Sequence, residues 1–381
     1  MNRYETLIVG STMLLLLIGI YAVYSASGPI AYLQHNGDVG YFFRRQVMAL
    51  GIGIAGFLTL WRLNYNVIIE LSPVLFGVNI VMLVALFGFG TGRCGVNRWL
   101  PLGNGLYIQP SLITLVTVPL FISYIRKKSR SNSQSASKAE WIALGVLSVL
   151  FLLIAFEPDL SMAFVVAVVT MVVMFVGGFS IKRLLLIAFI IGITGLIFTF
   201  VERYRVERIT SFVDPWGNRS GTGYQSVQAL ISIGSGGFFG KGLCHGMQKF
   251  FYLPAPHTDF VYPVIAEELG LWGCTIVLLG FVVLIGAGMK AAIRSGSIVS
   301  AIVGTGMVSI IAIPAIVNLG MATGLLPVVG VPLPFISYSG TGLVVALSGM
   351  GILASIARIG DRYADDVLGE VGAFDYNGVE L

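Results

Sequence analysis

The sequence predicts an all-α polytopic membrane protein, on the strength of its composition and its long apolar runs. Hydrophobic residues make up 56% of the 381-residue chain and charged residues only 11%, whereas soluble domains carry about 25% charged residues. Backbone groups in hydrocarbon must be satisfied within helices or closed barrels, and the apolar runs lack the alternation of barrel strands. We therefore expect repeated membrane crossings by helices.

About ten runs are long enough to cross a bilayer, since a spanning helix needs roughly 17–25 apolar residues. The first run, residues 6–26, is too long for a signal-peptide core, which predicts a retained helix. The ten predicted helices are centred near Leu16, Ile54, Met82, Val118, Val149, Val169, Ile191, Leu278, Ile310 and Ser348.

Loop composition predicts the orientation. Residues 125–138, "IRKKSRSNSQSASK", are basic and serine-rich, which is typical of a cytoplasmic loop. With this loop inside, both termini are cytoplasmic, and residues 202–262 form a large extracytoplasmic loop between the seventh and eighth helices. Its apolar stretch, residues 224–240, is too short and too rich in glycine to span, so we expect it at the interface or partly re-entering. A second outer loop, residues 321–342, is rich in proline and glycine and predicts a re-entrant backbone covered by protein.

The chain is expected to form one membrane domain, residues 1–362, followed by a short polar cytoplasmic tail, residues 363–381. The tail is acidic and polar, which predicts disorder. The three cysteines fit no metal-binding spacing, but Cys94 and Cys244 both fall in predicted outer loops. A disulfide between these two cysteines is one interpretation.

The segment Gln248–Gly270, "QKFFYLPAPHTDFVYPVIAEELG", places Asp259 at the predicted outer edge of the membrane. Partial desolvation there would raise the pKa of the carboxyl toward the range of a general base. From the residues alone, an N-terminal cap on the following helix is an equally good interpretation. His257 is the second candidate base, with capping or orienting of the loop as its alternative role.

Basic residues in the outer loops predict an anionic ligand, because the guanidinium fork matches phosphate oxygens. The alternative is that long loops are translocated regardless of their charge. A divalent cation, Mg or Mn, could share with Asp259 the task of binding pyrophosphate, although the sequence shows no cluster of metal-ligating residues. Glu267 and Glu268 are expected to stabilise the dipole of the eighth helix. The candidates for contact with pyrophosphate are Arg45, Arg208, Lys241 and Lys249.

Several motifs occur in one order along the chain. They are "YSAS" (24–27), "RRQ" (44–46), "RWLPLG" (98–103), "IQPS" (108–111), "EPDL" (157–160), "DPW" (214–216), "GTGYQ" (221–225), "PAPHTDF" (254–260) and "LPVVGVPLPFISYSGTG" (326–342). In this order, over residues 5–360, the chain resembles the SEDS family, the shape, elongation, division and sporulation proteins. "GTGYQ" and "QKFFYLPAPHTDF" are more similar to the cell-division branch, FtsW, than to the elongation branch, RodA.

The resemblance implies that residues 1–362 are a SEDS-type transmembrane glycosyltransferase domain. Such proteins are peptidoglycan glycosyltransferases that polymerise lipid II at the outer face of the cytoplasmic (inner) membrane. The implied partners are a class B penicillin-binding protein and other division-complex membrane proteins, with no nucleic acid. The family's essential aspartate falls on Asp259, and its arginine-glutamine pair falls on Arg45 and Gln46, which become candidate substrate-binding residues. Apolar residues of the outer loops, Trp99, Phe238 and Phe251, suggest a surface for the partner.

The chain departs from the family pattern at a few positions. Leu112 and Leu115 stand where the family usually has a glutamate and a lysine; the joint loss fits a charge pair, since either charge alone would be stranded in the membrane. Ser161 and Met162 replace the usual residues after "PDL", and Ser339 replaces a glycine of "SYGG". These changes affect the expected shape and regulation of the cavity.

Three alternative functions fit the same class of membrane protein. A lipid II flippase would carry ionisable groups near mid-membrane, and the predicted spans contain almost none. An elongation-type, RodA-like polymerase would share the chemistry. A non-catalytic division scaffold would not need Asp259, although the lost charge pair keeps this alternative open.

Overall fold

A computed structural model describes residues 2–92, 98–103, 106–129, 133–157, 159–201 and 203–375. These residues form twelve helices and a single two-stranded sheet. The elements are α1 (Arg3–Gln34), α2 (Tyr41–Arg62), α3 (Tyr65–Phe89), β1 (Leu100–Gly103), β2 (Leu106–Ile108), α4 (Pro110–Ser129), α5 (Ser133–Phe156), α6 (Leu160–Val176), α7 (Ile181–Val201), α8 (Arg203–Val213), α9 (Tyr224–Gly236), α10 (Val261–Ile293), α11 (Ile298–Ala322) and α12 (Gly340–Asp375).

Each of the ten predicted span centres lies inside a different long helix, namely α1–α7 and α10–α12. Within the described residues, seven of these helices are long and apolar enough to cross a membrane: α1, α3, α5, α7, α10, α11 and α12. The other three, α2, α4 and α6, have 22, 20 and 17 residues. The all-helical polytopic fold is thus confirmed, and the exact number of crossings stays a prediction. Of the seven apolar helices, α11 is the most buried: 78% of the residues in its apolar 18-residue stretch are buried.

Both described terminal segments lie at the same end of the bundle. Asn2 caps α1, and its Nδ2 donates to the carbonyl of Ala357 near the end of the apolar part of α12, at 2.7 Å. α12 rises about 25 Å from Gly340 to this point, and Tyr338, just before α12, is hydrogen-bonded to the loop that carries Asp259. Asn2 and Ala357 therefore lie at the end of the bundle opposite to Asp259, as the predicted topology requires.

The proline-rich loop, residues 323–339, is inserted into the protein between α11 and α12. Leu333 and Ile336 are at most 1% exposed. Gly19 of α1 packs so closely on this loop that a Cβ there would overlap the carbonyl oxygen of Phe335. The prediction that protein covers this irregular backbone is confirmed, and Gly19 is the residue that permits the approach.

The long loop before α10 is folded onto α10. It contains the short helices α8 and α9, and α9, with 13 residues, is about 20 Å long, too short for a bilayer of about 30 Å. Ser232 of α9 donates to the carbonyl of Pro263 at 2.9 Å. α10 is kinked at Gly270, where φ is +65°, a conformation that glycine adopts without strain. The amide of Leu271 after the kink donates to the carbonyl of Gly237 at 3.0 Å.

Three details differ from the sequence prediction or fall outside the description. The all-α prediction misses an antiparallel hairpin formed by β1 and β2. α12 continues to Asp375, so it runs into the predicted polar tail, and the disorder expected of the tail stays a prediction. Residues 376–381 and Cys94, and with it the predicted disulfide to Cys244, lie outside the described residues.

Candidate active site

Asp259 ends the loop that precedes α10, and its side chain does not cap that helix. The N-cap position is Phe260, where no side-chain cap hydrogen bond is formed. The capping interpretation of Asp259 is therefore wrong. The side chain is partly exposed, so its carboxylate is not a fully buried structural group.

Two arginines and one aspartate surround the Asp259 carboxylate. Burial raises the pKa of Asp259 to about 6, against the opposing charges of Arg208 and Arg98, while the charge of Asp159 raises it further. Gly330 of the proline-rich loop borders the site: a Cβ there would lie 3.9 Å from Asp259 Oδ2 and 4.0 Å from an Arg98 amino group. A carboxyl with this pKa is mostly ionised at neutral pH and still basic enough to accept a proton.

Arg98 is held in place by a buried aspartate. Its Nε lies 3.6 Å from Oδ2 of Asp159, which is 1% exposed. Asp159 also caps α6 through the amide of Met162 at 3.3 Å and accepts from Nε2 of Gln109 at 3.2 Å. Burial raises the pKa of Asp159, and Arg98 opposes that rise. Sequence reasoning missed Arg98, Gln109 and Asp159 as site residues, although the motifs "RWLPLG", "IQPS" and "EPDL" contain them.

Glu157 is a second buried acid beside this pair. It is 3% exposed, and within the described residues neither carboxyl oxygen has a hydrogen-bond partner. Burial and the nearby charge of Asp159 raise the pKa of Glu157 to about 8. Glu157 is therefore mostly protonated and neutral at pH 7, and adds no charge to the site.

His257 is half-buried and lies among aromatic rings close to Arg45. Its ring centroid lies 4.7 Å from that of Phe42 and 5.7 Å from that of Tyr338, and its Nδ1 has no hydrogen-bond partner among the residues that the structure describes. Burial lowers the pKa of His257 to about 4, so the ring is neutral and a poor base at pH 7. Its carbonyl accepts the amide of Tyr338 at 2.8 Å, which favours an orienting role. Arg45 stacks over Tyr41, with its guanidinium carbon 4.5 Å from the ring centroid.

Gln46 supports the proline-rich loop. It is 2% exposed, its Nε2 donates to the carbonyl of Ser337 at 3.2 Å, and its Oε1 accepts the amide of Ser339 at 3.3 Å. Because both ends of the amide are engaged by the backbone, the geometry favours a structural role over the predicted contact with substrate.

Lys241 and Lys249 are both paired with carboxylates of α10. Lys249 is 3% exposed, and its ammonium donates to Glu268 at 2.6 Å, to Ser25 and to a backbone carbonyl. Lys241 donates to Glu267 at 2.6 Å. These pairs attach the preceding loop to α10, so the geometry does not support the predicted contact of either lysine with pyrophosphate.

Glu267 and Glu268 also have a role different from the predicted one. They lie in the second turn of α10, and their oxygens accept the backbone amides of residues 246–248. The helix-dipole interpretation is replaced by this bonding to the loop, because both carboxylates are at most 1% exposed and already paired.

A small apolar cavity of about 40 Å³ lies beneath the proline-rich loop. Leu112 and Leu115 of α4 line it together with Leu333 and Phe335. The two leucines thus fill with methyl groups the space where the family usually has a charge pair. Within the described residues, no group of three or more His, Cys, Asp or Glu side chains could hold a metal ion, and the divalent cation stays a prediction.

Comparisons of the sequence and the structure with known proteins agree on one protein family. Residues 5–361 match the model of the FtsW/RodA/SpoVE family, described as cell cycle proteins. Stage V sporulation protein E of Bacillus subtilis is 35% identical, over 93% of this chain and 97% of that protein. The probable peptidoglycan glycosyltransferase FtsW of Alcanivorax borkumensis is 36% identical, over 90% of each.

Two solved structures are similar over nearly the whole chain. One is a chain from a peptidoglycan synthase complex described as coordinating polymerization and crosslinking, with a TM-score of 0.69, 26% identity, and coverage of 92% of this chain and 98% of that one. The other is the rod shape determining protein RodA of Thermus thermophilus, with a TM-score of 0.68, 25% identity, and coverage of 95% and 98%.

Proposed function

Because this chain belongs to the FtsW/RodA/SpoVE family of cell cycle proteins, as its motifs predict, we propose that it is a peptidoglycan glycosyltransferase that polymerises lipid II. Relatives named as such enzymes cover nearly the full chain. We place its activity in septal wall synthesis, since several of these relatives are FtsW proteins, and its active site at the outer face of the cytoplasmic membrane.

The observation that carries the mechanism is the partly exposed carboxylate of Asp259, close to the charges of Arg208 and Arg98. In the proposed step, Asp259 takes the proton from the 4-hydroxyl of the acceptor N-acetylglucosamine. The acceptor oxygen then forms the glycosidic bond at C1 of the donor sugar. The bond between C1 and the pyrophosphate oxygen breaks with inversion, and the lipid pyrophosphate of the growing strand leaves with the bonding electrons.

Arg208 and Arg98 are the best placed groups for the leaving pyrophosphate, because they already face the base. Arg208 is exposed on α8 and donates to the carbonyl of Val328 at 3.3 Å, which places its guanidinium beside the proline-rich loop. Arginine can offer two parallel N–H groups to a phosphate. Arg45, next to His257 through Tyr338, is a candidate for a more distant phosphate or sugar contact.

The direct test is polymerisation of labelled lipid II by purified protein with Asp259→Asn. The variant keeps the size of the side chain but cannot take the proton, so the rate should fall about 10²–10⁴-fold. Asp38→Asn is the matched control, since Asp38 is an exposed aspartate near the start of α2, paired with Arg44. Parental polymerisation by a folded Asp259→Asn protein would refute the mechanism. If the parental protein moves lipid II across the bilayer without making polymer, it is a flippase. If it has neither activity, it is a non-catalytic scaffold.

We further propose a class B penicillin-binding protein as partner, because a solved structural neighbour is a chain of a peptidoglycan synthase complex. The predicted contact residues Trp99, Phe238 and Phe251 are 38%, 53% and 56% exposed. Addition of the partner should raise the polymerisation rate, and Phe251→Ser should weaken co-purification. An unchanged rate with saturating partner would exclude activation.

A further inference from the structure

Asn318 of α11 connects the loop that carries the base to the proline-rich loop. It is completely buried, with 0% exposure. Its Nδ2 donates to the carbonyl of Asp259 at 2.9 Å and to the carbonyl of Val331 at 2.7 Å. Both amide hydrogens are thus used, and each goes to a different irregular segment.

The carbonyl of Asp259 depends on this donor for a simple reason. Asp259 lies before the N-cap, Phe260, so its carbonyl is outside the hydrogen-bond series of α10, and Pro263, four residues later, has no N–H that could bond to it. Asn318 supplies the missing hydrogen from the neighbouring helix. A carbonyl that is shielded from water and has no partner is destabilising, so this hydrogen bond favours the position of the loop against α11.

Neighbouring bonds join the same two loops but do not reach Asp259 itself. Ser337 donates to the carbonyl of Thr258, and the amide of Tyr338 donates to that of His257. Among the described residues, Asn318 is the side chain that donates both to the backbone of Asp259 and to the proline-rich loop, whose Gly330 borders the Asp259 carboxylate.

We propose that Asn318 is a positioning residue for glycosyl transfer, which holds the backbone of Asp259 so that its carboxylate faces Arg208 and Arg98. The inference rests on the proposed function. Asn318 is too deeply buried to touch substrate, so its loss should lower kcat and leave KM nearly unchanged. A misplaced catalytic group typically reduces the rate about 10–100-fold.

Loss of this anchor should also change the pH profile. The charged groups that face Asp259 are Arg208 from α8, Arg98 before β1 and Asp159 at the start of α6. If the loop relaxes, the carboxylate of Asp259 becomes more exposed to water. Burial, the largest cause of the raised pKa of Asp259, is then reduced. The acid limb of activity should then move to lower pH, which a general loss of stability would not produce.

The experiment compares Asn318→Ala and Asn318→Asp with Asn79→Ala. Asn79 is an equally buried asparagine, 1% exposed, whose side chain donates to the carbonyl of Pro110 and accepts from Thr114, away from the Asp259 loop. Asn318→Asp keeps the shape of the side chain but lacks the two amide hydrogens. We expect both Asn318 variants to lower kcat at constant KM and to shift the acid limb downward. Asn79→Ala should change stability only.

Hydrogen exchange gives a readout that does not depend on activity. The amide of Tyr338, bonded to the Asp259 loop, should exchange faster in both Asn318 variants than in Asn79→Ala. The inference would be overturned if either Asn318 variant folds and has the same kcat and the same acid limb as the parental protein. It would also be overturned if the effects are no larger than those of Asn79→Ala. Failure of both Asn318 variants to fold beside a folded Asn79→Ala would overturn it as well. If Asp259→Asn is inactive while Asn318 variants are parental, only this inference fails; an active Asp259→Asn protein would instead refute the proposed function.

Discussion

The polymerisation rate should have an acid limb near pH 6, because Asp259 must be ionised to take the acceptor proton. With its pKa at about 6, about 90% of the carboxyl is ionised at pH 7, about 50% at pH 6 and about 10% at pH 5. An ordinary aspartate, with a pKa of about 3.9, would still be about 90% ionised at pH 5. The rate should therefore fall about tenfold between pH 7 and pH 5, where an unburied base would lose almost nothing.

Replacing Arg208 tests the cause of this limb. The positive charge of Arg208 lowers the pKa of Asp259 against burial, so Arg208→Gln should move the limb to higher pH and make the loss at pH 6 greater than twofold. Because Arg208 is exposed, its influence should be screened by salt, and high salt should shift the parental limb in the same direction. Arg219→Gln is the matched control, an exposed arginine of the same outer loop.

The assay is the initial rate of lipid II polymerisation at subsaturating substrate from about pH 5 to about pH 8. Recovery of activity after return to pH 7 separates titration from unfolding. A parental rate that stays flat down to pH 5 would contradict the assignment of Asp259 as a partly desolvated base. A limb that moves to lower pH in Arg208→Gln would contradict the predicted electrostatics.

Three further predictions concern stability in detergent. Lys249→Met leaves Glu268 buried without its cation and should cost about 3–5 kcal/mol, whereas replacing both residues by apolar ones should cost much less; equal costs in thermal unfolding would contradict this. Ser339→Ala removes the hydroxyl that accepts the third amide of α12 at 3.2 Å and should cost about 1 kcal/mol, while Ser339→Gly should cost only a few tenths. Leu112→Glu or Leu115→Lys alone should lower the yield of folded protein by stranding a charge in the apolar cavity, and the double variant should recover part of it; a double variant worse than both would refute pairing there.

The sequence predicts the helices well because membrane crossing is a local property of composition. Each apolar run is long enough on its own to satisfy its backbone in hydrocarbon, so every predicted centre falls within a helix. The burial of the proline-rich loop by protein is also predicted correctly, and α9 is, as predicted, too short to span; its place at the interface stays a prediction. The hairpin of β1 and β2 is missed because it depends on pairing between two short segments.

The charges are harder to interpret from sequence, because their roles depend on partners distant along the chain. Lys249 has the same basic, outer-loop position as a phosphate ligand, yet Glu268 neutralises it. Glu267 and Glu268 are adjacent and point about 100° apart on a helix, so each reaches a different lysine. Arg98 is a single arginine in a predicted loop, and the sequence pattern does not show that Asp159, some sixty positions later, pairs with it near Asp259.

The charges around Asp259 explain how proton transfer could assist departure of the leaving group. Arg98 and Asp159 form an ion pair, Asp259 faces Arg208 as well, and Glu157 is mostly neutral at pH 7 because burial raises its pKa to about 8. The charges of the two arginines and of Asp159 and Asp259 sum to about zero before the reaction. When Asp259 takes the acceptor proton in the proposed step, the local charge becomes positive by one unit, at the moment when negative charge develops on the pyrophosphate. Electrostatic stabilisation that appears only as charge develops lowers the barrier without tightening ground-state binding. An ionised Glu157 would cancel this positive charge. In the proposed step, the burial of Glu157 therefore helps catalysis by keeping the side chain neutral.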